Sequence, residues 1–128
     1  MPTRIDFIGW WQEAMQAGLK AGGVITPTPM VVQQHRNMLD DGSPVVQQWH
    51  VPEGVCGFAW VNVRPGTSAF AKWLKEQRLA KTDSYYGGVT VWIDQYGQSY
   101  QRKAAHAGAM AKVLSAHGIR ANSNSRLD

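Results

Sequence analysis

Apolar and polar positions change rhythm several times along the chain, and each rhythm predicts an element. Residues 4–22 read as an amphipathic helix, because Trp11, Ala14, Met15, Gly18, Leu19 and Gly22 fall at i, i+3, i+4 and i+7 spacing. Gly22-Gly23 supplies a stop that tolerates positive φ. Residues 24–44 carry Thr26-Pro27-Thr28-Pro29 and Asp40-Asp41-Gly42-Ser43-Pro44, which predict a long connection rather than regular structure. Val45–Val51 reads as a short strand and Pro52-Glu53-Gly54 as a turn. Val55–Val63 is the clearest strand. Its odd positions are Val55, Gly57, Ala59, Val61 and Val63, and its even positions are Cys56, Phe58, Trp60 and Asn62. Both faces are mostly apolar, as in a central strand.

Thr67 or Ser68 caps a helix running to about Arg78, with Phe70, Trp73 and Leu74 on its buried stripe. Lys81–Tyr86 and Val89–Asp94 flank Gly87-Gly88 and predict a hairpin. Residues 98–117 are read as the longest helix, and its alanines allow close packing on a sheet. Ile119–Ser123 is a last short strand and Asn124–Asp128 a polar tail.

From residue 55 the order is strand, helix, strand, strand, helix, strand, the ferredoxin-like split β-α-β arrangement of an α+β fold with an antiparallel sheet. The chain is read as one α+β domain over 1–128. Residues 1–54 form an N-terminal helix and loop extension, 55–123 the ferredoxin-like core, and 124–128 the tail. The aliphatic positions Val55, Ala59, Val61, Val89, Val91 and Ile93 should meet the helices, leaving Phe58, Trp60 and Trp92 on the opposite face. The helix over 4–22, with Trp10 and Trp11, is expected to pack on that aromatic face and make a third layer.

Composition narrows the function classes. At 128 residues the chain can bury a core of its own. One cysteine excludes an intrachain disulfide framework. No apolar run approaches the ~20 residues of a membrane span, and Met1–Asp6 lacks the pattern of a signal peptide. A soluble protein of a reducing compartment is therefore expected. Charged residues are sparse at 17%, yet there are six tryptophans and a net charge of +4. Residues 1–64 hold four basic and five acidic side chains, residues 65–128 nine and four. The second half alone is basic, which points to an acidic partner.

Three constellations could carry function. Aromatics on two central strands are how RNA-recognition modules stack bases, so Phe58, Trp60 and Trp92 are candidates. The predicted helices, however, put the cations on the other side of the sheet, and the glycine–aromatic signature of those modules is missing; a covered core layer is the simpler reading. The second is a basic helical face of Lys72, Lys75, Arg78, Arg102, Lys103 and His106, suited to phosphates or an acidic protein. The third is the 24–44 loop, where Thr26, Thr28, Met30, Gln34, His35 and Arg36 could wall a ligand site. Cys56 is a conceivable thiol nucleophile but sits within a strand, as buried structural thiols do. His35, His50, His106 and His117 show no zinc spacing. No catalytic residue, metal or cofactor is expected.

Thr26–Val32 (TPTPMVV), Gly54–Val63 (GVCGFAWVNV), Asp83–Ile93 (DSYYGGVTVWI), Gln98–Ile119 and the terminal Ser125-Arg126-Leu127-Asp128 together cover well over half the chain. They resemble an uncharacterised family of small tailed-bacteriophage proteins with no assigned activity. The resemblance implies a phage origin and a role in the host bacterial cytoplasm or in the virion. The resulting expectation is a non-enzymatic accessory module that binds an acidic partner, whether nucleic acid, nucleotide or host protein. The alternatives are a minor virion component and, further off, a thiol enzyme using Cys56.

Overall fold

The structure, a computed structural model, describes residues 2–25, 30–35, 45–51, 56–96 and 99–127, with 30–35 and 45–51 as backbone. The order is α1 (Arg4–Val24), β1 (Met30–His35), β2 (Val45–Val51), β3 (Gly57–Arg64), α2 (Ala69–Glu76), β4 (Lys81–Thr82), β5 (Val89–Trp92), α3 (Tyr100–Ala116) and β6 (Arg120–Leu127). β4, β5, β3 and β6 lie in that spatial order in an antiparallel sheet. The first and third strands of the core are neighbours at its centre, which is the split β-α-β arrangement expected from the sequence.

Each helix begins where a side chain can satisfy an orphan amide. Thr3 and Asp6 form a reciprocal capping box on α1, Ser68 accepts from the Ala71 amide on α2, and Ser99 from the Arg102 amide on α3. One sheet face is aliphatic. Ala59, Val61 and Val63 of β3 and Val89, Val91 and Ile93 beside them are buried against Phe70, Trp73 and Leu74 of α2 and Ala107, Met110 and Leu114 of α3. Val55 lies outside the described residues.

α1 packs into this same core, on the helical side, and not over Phe58, Trp60 and Trp92 as expected. Phe7 meets Phe70 edge-on at 5.5 Å and lies 6.0 Å from Trp73. Trp10 stacks on His117 at 5.0 Å, and His117 Nε2 is 2.7 Å from Glu13 Oε2. Trp11 and Met15 share a hollow with Val91 and Ile93. The physical reason is a stripe of small residues at four-residue spacing, Ala14, Gly18 and Gly22, all buried. A methyl at Gly18 would stand 2.6 Å from the His106 ring, and one at Gly22 2.5 Å from the Tyr96 ring. Only a groove without side chains admits α3 and the segment before it so closely. Among the described residues the three helices therefore lie on one face of the four-stranded sheet.

Three boundaries also differ from expectation. Residues 30–35 do not belong to an irregular connection: β1 pairs antiparallel with β2 from Met30↔Val51 to His35↔Val45, and β-branched Val31 and Val32 suit that strand. The Lys81–Tyr86 arm is a strand only over Lys81–Thr82. The tail is mostly strand, because β6 pairs with the long β3 from Arg64↔Arg120 to Gly57↔Leu127. Small Ala121, Ser123 and Ser125 on its helical face let α3 sit close, with Tyr100 Oη 3.0 Å from Ser125 Oγ.

Candidate functional site

The even positions of β3 share one face with their cross-strand partners. Trp60 is opposite Trp92 on one side and Asn124 on the other, Asn62 lies between Thr90 and Asn122, and Phe58 is opposite Arg126. With α1 elsewhere, this face is open: Trp92 is 49% exposed and Phe58 36%. Trp60 is buried beneath its neighbours, its ring 5.0 Å from Trp92 and 6.3 Å from Tyr86. Phe58 meets Trp92 edge-on at 6.3 Å.

The β4–β5 turn adds two more rings. The Asp83 carboxylate accepts from the Tyr85 and Tyr86 amides, both at 2.9 Å, and from Thr90 Oγ1 at 2.6 Å. These bonds, the Thr90 hydroxyl foremost, hold its pKa below the ordinary carboxylate value, so the group stays charged. Buried Asn62 donates to the Gly87 carbonyl at 2.9 Å and ties the turn to the sheet. Gly87 and Gly88 take φ of 79° and 68°, which glycine adopts without strain. The turn so fixed presents Tyr85, 85% exposed, and Tyr86, 48% exposed. Trp60, Asp83, Tyr86, Trp92, Asn124 and Arg126 all line one hollow of about 530 Å³.

Cations reach this face through β6. Arg126 holds its guanidinium 5.2 Å from the Phe58 ring centroid, a cation–π contact. Exposed Arg64 and Arg120 are directly opposite each other on the same face, whereas Lys81, opposite Thr90, stands on the far edge strand and does not line the hollow. Among the described residues Arg4 pairs with Glu76 and His117 meets Glu13, and none of these sheet cations is in an ion pair. Aromatic rings and positive charge therefore share one surface.

The basic helical cluster does not form one patch. Lys72, Lys75 and Arg78 are exposed, but Arg102 donates to the Ile25 carbonyl at 3.2 Å and Lys103 is buried, donating to the Gly57 carbonyl at 3.3 Å. His106 is fully buried with Nδ1 2.8 Å from Tyr96 Oη; its Nε2 has no hydrogen-bond partner among the described residues. Burial pushes the His106 pKa below the ordinary imidazole value, with Asp94 opposing. Of the loop candidates, Thr26, Thr28 and Arg36 lie outside the described residues, while Met30, Gln34 and His35 belong to β1. Half-buried Cys56 bridges through its backbone to Ser99 just before β3.

Sequence reasoning found the three rings of the platform and missed Asp83, Tyr85, Tyr86, Arg64, Arg120 and Arg126. Beyond the predicted strand Ile119–Ser123, the available signal was the same alternation continuing through Asn124-Ser125-Arg126. It is polar on one face and small on the other, so it lacks the apolar stripe that announces a strand.

No cluster of three or more potential metal ligands exists among the described residues, and no described helix is long and apolar enough to cross a membrane. No family model, curated protein or solved structure matches this chain.

Proposed function

We propose that the protein binds single-stranded nucleic acid on the open face of its sheet, without catalysing a reaction. The observation that carries this reading is the coincidence of Phe58, Trp92, Tyr85 and Tyr86 with Arg64, Arg120 and Arg126 on one exposed surface. Bases stack on aromatic faces whatever their sequence, and arginines neutralise phosphates. A duplex is disfavoured because its bases cannot reach a flat sheet. The acidic partner expected from charge alone thus becomes a single strand, and its seat moves from the helices to the sheet. The phage origin implied by resemblance belongs to this proposal, with action in the host cytoplasm.

The test is titration of the protein with twelve-nucleotide oligo-dT and oligo-U, read by tryptophan fluorescence and by anisotropy of labelled strand. Binding should weaken steeply as salt rises. Trp92→Ala should cost about 1–3 kcal/mol, the worth of one base stack. Absence of binding to both strands at 20 mM salt refutes the proposal.

A further inference from the structure

We infer that β6 is the phosphate rail of this surface, and that the bases point from it across Trp92 toward the β4–β5 turn. The inference rests on the proposed binding of a single strand and adds the strand's orientation. The open face of β6 consists of Arg120, Asn122, Asn124 and Arg126: a cation at each end, amides between, and no carboxylate. From Arg120 to Arg126 the strand rises about 20 Å, room for a few nucleotides, near the lower end of the ~4–16 that single-strand binders cover.

Two arrangements support a rail for anions. Arg64 and Arg120 are directly opposite each other, and like charges so placed repel. A phosphate between them converts the repulsion into two charge-assisted hydrogen bonds. At the other end Arg126 lies over Phe58, whose ring also has Lys103 Nζ at 5.8 Å. Phe58 is therefore a positioning residue that holds a cation, and the base platform is Trp92 with the tyrosines.

The far side of the hollow has the opposite chemistry. Asp83 lines it, and three hydrogen bonds occupy three of the roughly four acceptor positions of its carboxylate. Its charge repels a phosphate, and its remaining position can accept one N–H from a base edge. Phosphates on β6 and bases toward Asp83 is the one orientation in which both sides of the hollow attract what they face.

The experiment measures the slope of log affinity against log salt for oligo-dT and oligo-U with the intact protein and with Arg120→Gln, Arg126→Gln, Lys81→Gln and, on the helical side, Lys112→Gln. Circular dichroism and melting confirm that each variant folds, and either arginine variant alone suffices. Each arginine variant should lower the slope by about 0.7–1, one phosphate contact, equally for both strands. Lys81→Gln and Lys112→Gln should leave it unchanged. If the intact protein binds but the arginine slopes match its own, or Lys81→Gln alone lowers the slope, the rail is overturned while the proposed function stands. If the intact protein binds neither strand, both fall. A loss confined to oligo-U overturns the rail as a phosphate contact, since the arginines would then be reading the 2′-hydroxyl.

Discussion

Replacing Gly18 by alanine tests where α1 sits, and with it whether the aromatic face is open. Two effects oppose. Alanine in place of a mid-helix glycine gains about 1 kcal/mol of helix propensity. At Gly18 the new methyl would lie 2.6, 2.6 and 2.9 Å from three atoms of the His106 ring. That ring cannot swing aside, being fully buried with Nδ1 against Tyr96 Oη at 2.8 Å. Overpacking of this kind costs about 1–3 kcal/mol. Gly9, in the same helix, has open space where a methyl would go, with nothing within 4 Å, so Gly9→Ala collects the propensity gain alone. The difference between the two variants cancels the propensity term and isolates the contact. Urea unfolding followed by circular dichroism should place Gly18→Ala about 1–3 kcal/mol below Gly9→Ala. Equal stabilities would refute the seating of α1 on α3, since a helix laid over Phe58 and Trp92 would leave Gly18 away from His106.

Two other positions give sharp expectations. Gly88→Ala should destabilise by at least about 2 kcal/mol in the same assay, because φ is +68° there and the methyl would collide with the Val63 carbonyl; Gly87→Ala, at φ +79° with open space around it, should cost only about 1 kcal/mol. Stability should also fall with acid through His106. Its folded pKa is lowered by burial, so below about pH 6.5 the unfolded chain takes up a proton that the folded chain refuses. The contribution is complete above that pH and is lost progressively as pH drops toward the folded pKa. Urea midpoints at pH 7.5 and 5.5 should therefore differ less in His106→Leu than in the unaltered protein, and an unchanged difference would show that His106 is not the group responsible.

The core was legible in the sequence because its signals are apolar and periodic. The alternation of Phe58, Trp60 and Asn62 with Ala59, Val61 and Val63 assigned both faces of β3, and the glycine pair at 87–88 set the order of the strands around it. The side taken by α1 was not legible from hydrophobicity, since tryptophans at 10 and 11 suit either layer. It follows instead from shape: Ala14, Gly18 and Gly22 form a shallow groove, and α3 carries Ala107 and Ala111 among its buried residues. Small faces attract one another by permitting close approach, a property that apolar patterning does not weigh. The turn after β4 was hidden differently. Tyr85 and Tyr86 have high strand propensity, but Asp83 bonds to their amides and curls the chain before pairing can extend.

β6 is the element that changes the functional reading most. With the cations of the helices taken as the basic surface and Asn124–Asp128 as a polar tail, the rings and the basic charge of the second half lay on opposite sides of the sheet. Pairing through Leu127 carries Arg120 and Arg126 onto the aromatic side, while Arg102 and Lys103 turn to backbone carbonyls and leave the helical surface less basic than its sequence. Exposed apolar area is unfavourable at roughly 25 cal/mol per Å², so a sheet selected only for stability gains nothing by showing Trp92, Phe58 and two tyrosines to water. A protein partner would use that area and could match arginines with carboxylates. Against a protein stands the pairing of Arg64 with Arg120 at one end of β6 and Arg126 at the other, a spaced row of cations that suits a phosphate backbone. On a single strand, stacking on Trp92 survives where phosphate contacts fade, so binding to oligo-dT should retain a salt-resistant part that Trp92→Ala removes and Arg126→Gln does not.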